Sequence, residues 1–314
     1  MKKRLLLLGL KLLWGLALVT VVAWYSDIGE SWKAIETARP APLVLATLLG
    51  VLSVFLGAVG VTLLGRAVND HLGWLPGIRG FCIAWVLGFF LGRVSEFSLP
   101  WFWRHYMPVP QGAAVVLVDK LVSLTWFTVL GAVGLGLLVD PRAGLLAGGF
   151  GVVALGGVLF VTLSDYAPRL AGKLLPAHWV DRLQDLPDTF RLVTQRRRSA
   201  VVANVMITGL RAALHGAILV ALMAAIGQTL DPIIGTAIQA MVTLTSLVPG
   251  SLMGLGYWES VYVMGLGGAG IDTADALAAA LIWRVLNLVI MPPIFLFGWS
   301  QQAGGPAGTE ESAA

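Results

Sequence analysis

The chain has 314 residues, 57% of them apolar and only 12% charged, against about 25% charged in soluble domains. That composition places it in a membrane and leaves almost no room for a soluble domain. The net charge of +4 reads as membrane topology and not as a nucleic-acid surface. The single Cys82 excludes an internal disulfide, and His71, His105, His178 and His215 are scattered without metal-ligand spacing.

Residues 1–25 open with Lys2, Lys3 and Arg4 and continue as roughly 20 apolar residues, enough to cross a hydrocarbon core. They read as a retained first span with its N-terminus in the cytoplasm. Residues 26–41 are polar, with Ile28, Trp32 and Ile35 at helical spacing, and predict a short helix at the outer interface. A second span follows over 42–64, where Ser53, Gly57 and Gly60 form a small-residue stripe suited to close helix packing.

The stretch 77–108 does not read as a clean span. An apolar run, GIRGFCIAWVLGFFL, meets GRVSEFSLPWFWRHYMPVP, which holds Arg93, Glu96, Pro100 and Arg104. A broken, re-entrant hairpin is predicted here. Residues 111–139 then form a long helix carrying Asp119, Lys120 and Ser123, Asp140-Pro141-Arg142 makes a turn, and 143–163 is a further span. From 165 to 198 the chain carries seven basic residues against four aspartates, the strongest positive-inside signal present. This loop is expected in the cytoplasm, with amphipathic pieces on the inner leaflet.

In the next span, 200–226, Asn204, Thr208, Arg211 and His215 recur on one helix face, which predicts the lining of a polar cavity. Residues 232–270 contain the second broken stretch, LVPGSLMGLGYWE. It breaks at Pro249-Gly250 and runs through Gly254 and Gly256 to Glu259. Irregular backbone is tolerated at membrane depth only where protein or a water-filled cavity surrounds it, and a carboxylate there marks a functional site. The last span, 274–299, carries Arg284 with Asn287 one turn on. The polar tail 301–314 is expected to be disordered.

The two broken stretches echo one another. Glu96 precedes Lys120 in DKLVSL, and Glu259 precedes Arg284 in WRVLNL, at nearly the same separation. The charge bias makes the first hairpin enter from the cytoplasm and the second from outside. The expectation is therefore an all-α integral membrane protein with one domain over 1–300. It has about six full spans and two re-entrant hairpins in inverted halves, about 1–140 and 141–300; eight full spans is the alternative. Discontinuous segments at matching positions of inverted halves point to a midplane binding site.

GRVSEF…VLVDKLVSL and LVPGSLMGLGYWE…ALIWRVLNL resemble the two signature regions of the lysylphosphatidylglycerol synthase transmembrane-region family. In that family Gly92, Arg93 and Glu96 match the first element, Pro249, Gly250, Gly254, Gly256 and Glu259 the second, and Arg284 the arginine that follows. The chain departs from the usual pattern at Asp119, Lys120, Ser123, Met253 and Trp258. The resemblance implies a flippase-like protein of the bacterial inner membrane that moves, or binds for movement, a polar-headed lipid or lipid-linked molecule. Arg93, Arg104, Lys120, Arg211 and Arg284 would attract an anionic headgroup, and Glu96, Asp119 and Glu259 would balance them or take protons.

No HExxH, P-loop or GxSxG motif is present, and the GLGGAG at 265–270 lacks a strand–turn–helix setting. Neither a cofactor nor a catalytic role is therefore expected. The alternative is a membrane subunit or enzyme of lipid or lipid-linked glycan modification, working with a separately encoded synthase. A purely structural ion-pair lattice is the third reading of the same charges.

Overall fold

The computed structural model describes residues 17, 20–22, 24–91, 98–163, 186–193, 197–245 and 254–300. Regular structure among these is entirely helical. In chain order the helices are α1 (Ile28–Glu36), α2 (Pro40–Val68), α3 (Trp74–Leu91), α4 (Leu99–Phe102), α5 (Val109–Leu138), α6 (Pro141–Leu163), α7 (Leu186–Arg191), α8 (Arg198–Ala225), α9 (Pro232–Thr245), α10 (Tyr257–Gly268) and α11 (Thr273–Trp299). Two starts are written in the sequence as Asp followed by Pro, the carboxylate capping exposed N–H groups and the proline occupying the first turn. Asp231 accepts from the N–H of Ile233 at 2.7 Å, Asp140 from that of Arg142 at 2.6 Å, and Asp272, without a proline, from that of Ala274 at 2.8 Å.

Helices α2, α5, α8 and α11, of 29, 30, 28 and 27 residues, are long and apolar enough to cross a membrane. The chain is thus an all-α, multi-pass membrane protein. α6 runs for 23 residues, while the expected first span and the tail fall largely or wholly outside the described residues. At about 1.5 Å per residue, α9 reaches only ~21 Å and α10 only ~18 Å, short of a ~30 Å core.

α2 and α8 pack antiparallel along the small-residue stripe. A Cβ on Gly57 would lie 2.6 Å from Cζ of Arg211, and one on Gly60 would lie 3.0 Å from Nδ2 of Asn204. Arg211 Nε donates to the Ser53 carbonyl at 3.0 Å, and His215 Nε2 lies 2.8 Å from Ser53 Oγ. The polar face of α8 was expected to line a cavity. Instead it is taken up by neighbouring helices: Arg211 and His215 bind Ser53 of α2, Asn204 turns to α5, Thr208 is buried, and Arg211 lies against glycine where a larger residue would clash.

One end of the bundle is marked by Asn69, whose Nδ2 donates to the Tyr106 carbonyl at 2.7 Å. The other is marked by Arg39, whose N–H donates to the Ala225 carbonyl at 2.8 Å, and by Gln228, which binds Asp275 at 2.7 Å. α9 and α10 form an antiparallel pair. Gly265 abuts Ile238, Gln239 Nε2 donates to the Tyr262 hydroxyl at 2.6 Å, and Gly268 closes on the Leu138 carbonyl at the Arg39 end. Across the molecule, α3 leaves from the Asn69 end and the chain returns there, with Trp103 against Gly65 and Gly80. The two helix pairs therefore open at opposite ends of the bundle.

The apolar core divides accordingly. One cluster gathers around α3, α4 and the first half of α5, the other around α9, α10 and the start of α11. α2, α8 and α11 thread both clusters. Of the basic loop 165–198, only 186–193 and 197–198 are described. Phe190 and Val193 there are buried in the first cluster, so this piece packs on the bundle.

Candidate functional site

The GxGxxE stretch folds as it does because two glycines set up the start of α10. Gly254 has φ 68° and Gly256 φ 82°, the left-handed region that costs other residues roughly 1–2 kcal/mol. Trp258 packs its indole across the bare α-carbon of Gly254. Gly256 is the N-cap of α10, and Glu259, three residues on, reaches back so that Oε2 accepts its N–H at 2.8 Å. This is the carboxylate half of a capping box; Gly256 has no side chain to supply the other half.

The second oxygen of Glu259 faces α11. Oε1 accepts from Arg284 Nε at 2.8 Å, and Arg284 Nη2 stands 2.6 Å from the same atom. Glu259 is 1% exposed and the Arg284 guanidinium lies 5.2 Å from the centre of the Trp258 ring. By helix rise, Glu259 lies about 14 Å from the Gly268 end of α10 and Arg284 about 17 Å from the Thr273 end of α11. A buried charge pair is expensive, and this one is held by two hydrogen bonds to one carboxylate, from Gly256 N–H and Arg284 Nε, with Nη2 adding ion-pair contact. Asn287 does not join it: its amide donates to the Trp283 carbonyl on its own helix at 2.8 Å.

A second polar centre lies on α5. Asp119, 2% exposed, accepts from Asn204 Nδ2 at 3.0 Å and pairs with Lys120 Nζ at 3.1 Å. Both residues line a pocket of about 10 Å3 with Val61, Phe81, Ala84, Leu99 and Val116, room for about one water. Asp119 is also about 15 Å along its helix, but counted from the Asn69 end, whereas the Glu259–Arg284 pair is counted from the Arg39 end, so the two centres lie at different levels of the bundle and on different helix pairs.

The other expected residues fall in three places. Arg211 is bound into the α2–α8 contact. Arg104 is exposed at the Asn69 end, stacked 4.5 Å over the Trp101 ring, and so is removed from the midplane to the rim. Arg93, Glu96, Pro249 and Gly250 lie outside the described residues. Gln239 and Tyr262 were missed from the sequence. A glutamine inside an apolar run signals a buried hydrogen bond, but nothing local identifies its partner 23 residues away.

The sequence profile described as the lysylphosphatidylglycerol synthase TM region matches residues 12–293. That match spans both signature stretches and every helix of the bundle except the last few residues of α11. No curated protein and no solved structure matches the chain.

Proposed function

The chain belongs to the lysylphosphatidylglycerol synthase TM region family, and from that premise we propose that it binds a polar-headed, anionic or aminoacylated lipid or lipid-linked molecule at mid-depth and moves it between leaflets. The family ties it to lipid modification or transport. The step to transbilayer movement is carried by one observation, the buried Glu259–Arg284 pair at the broken start of α10. An arginine that shares one carboxylate oxygen through two nitrogens can exchange that partner for a phosphate, which offers it two oxygens. Glu259 neutralises the arginine while no headgroup is bound. The N-terminus of α10, capped at Gly256, lies at the same point, and its dipole favours anions.

In this reading the two hairpins belong to inverted halves, with α3 and α4 corresponding to α9 and α10, and α5 to α11. Asp119 and Lys120 are then the first half's counterpart of the second pair. The membrane is the bacterial inner membrane and the Asn69 end faces the cytoplasm. The protein carries out no covalent chemistry of its own and needs no cofactor.

The test is leaflet exchange of fluorescent lipids in sealed proteoliposomes, with dithionite quenching the outer leaflet. Anionic, zwitterionic and lysine-bearing headgroups are compared for wild type, Glu96→Gln and Glu259→Gln. The proposal expects exchange by wild type that is lost in the folded variants. Folded wild type that moves none of these lipids refutes it and favours a membrane partner of a separately encoded lipid- or glycan-modifying enzyme.

A further inference from the structure

The Asn69 end of the bundle carries three arginines that the mid-depth site does not use, and each is stacked on an aromatic ring. Arg66 lies 5.0 Å from the Trp74 ring centre, Arg79 lies 5.4 Å from that of Phe297, and Arg104 lies 4.5 Å from that of Trp101. They come from three separate parts of the chain, whose backbones are gathered by one side chain. Trp103 is fully buried, and its ring packs against the bare α-carbons of Gly65 and Gly80. Arg66 follows the first of these glycines, Arg79 precedes the second and Arg104 follows the tryptophan. Arg66 and Arg79 are thus each one residue from a glycine at the Trp103 ring, and Arg104 is one residue from Trp103 itself.

Two donors here are buried without a hydrogen-bond partner among the described residues, Nε of Arg79 and Nε1 of Trp103. Trp74 and Trp101 are 44% and 60% exposed, as expected of rings at headgroup level. A guanidinium stacked on a ring keeps its in-plane N–H groups at its edge, where they can still be donated.

Charge separates along the bundle. At this end the described residues include Arg66, Arg79, Arg104, Arg191, Arg197 and Arg198 against Asp70 and Asp188. The opposite end holds Asp27, Glu30, Glu36, Asp140, Asp231, Asp272 and Asp275 against Lys33, Arg39 and Arg142. The basic end is the one that meets the anionic cytoplasmic leaflet.

We propose that Arg66, Arg79 and Arg104, held on their aromatic partners around Trp103, form a docking collar for the phosphate of an anionic phospholipid in the adjacent leaflet. The collar sits where the α3–α4 hairpin opens and is separate from the Glu259–Arg284 centre. It does not require that the protein move lipid.

The experiment is native mass spectrometry of the purified full chain. Retained phosphatidylglycerol is compared with phosphatidylcholine after equal loading, for wild type, R104Q, the triple variant R66Q/R79Q/R104Q, and R142Q at the acidic end. Wild type is expected to prefer phosphatidylglycerol. R104Q, whose side chain is exposed, should lower that preference about fivefold, the effect of one cation at an anionic surface. The triple variant should lower it by at least roughly tenfold, and R142Q should leave it unchanged. Equal loss in R142Q and R104Q, or an unchanged preference in folded R104Q, overturns the collar. R104Q decides the case even where the triple variant fails to fold.

Discussion

Replacing Glu259 by glutamine isolates the electrostatics of the mid-depth pair. The substitution keeps shape and removes one charge, so Arg284 remains, 12% exposed, about 17 Å into its helix without the carboxylate. Breaking a buried pair from one side costs about 3–5 kcal/mol, and an uncompensated arginine at the centre of a membrane helix costs about 2.5–3.5 kcal/mol. The two routes converge near 3 kcal/mol.

A smaller loss adds to this. When the glutamine oxygen turns to Arg284, its amide group faces the Gly256 N–H, donor against donor, and the cap is lost at about 1 kcal/mol. At roughly 2–4 °C per kcal/mol, the combined loss of about 4 kcal/mol in Glu259→Gln should lower the midpoint of thermal unfolding in detergent by about 8–16 °C while leaving folded protein. The double variant Glu259→Gln/Arg284→Gln removes the stranded charge and should recover most of that shift. Lipid exchange should not return with it, because the headgroup has lost its arginine. The reasoning fails if Glu259→Gln melts within 1 °C of wild type, or if the double variant is no more stable than the weaker single one.

Three further outcomes follow from local geometry. Asp119→Asn should cost about 1 kcal/mol, less than half the effect at Glu259, because Lys120 has a flexible stem and a 21% exposed side chain that can move its charge outward; paired melts measure this. Gly57→Val should destabilise by about 1–3 kcal/mol in the same assay, since its Cβ would meet the Arg211 guanidinium at 2.6 Å and force α2 from α8. Gly256→Ala should cost about 1–2 kcal/mol through its φ of 82°, whereas Gly267→Ala, on an open face of the same helix, should change stability by less than ~0.5 kcal/mol.

What the sequence determined by itself follows from rules that act over a few residues. Apolar length against bilayer thickness located α2, α5, α8 and α11 almost to their ends, because a span must bury its backbone in one continuous run. The turn Asp140-Pro141-Arg142 was legible because capping and the fixed proline φ are local effects, and the structure shows the same Asp-Pro device starting α9 at Asp231. The glycines before Glu259 and the small stripe Ser53, Gly57 and Gly60 were legible because only glycine or a small residue serves there.

Only the tertiary structure decided which polar groups meet. Arg211 looked like a cavity residue by spacing alone and proved to lie on Gly57, 154 positions earlier in the chain. Asp119 finds Asn204 at a separation of 85 residues, and Arg104 leaves the midplane because the chain turns back at Trp103. A buried charge requires a partner, but helical periodicity states only the face on which the charge lies. The partner is fixed by how the helices cross, which depends on packing across the whole bundle.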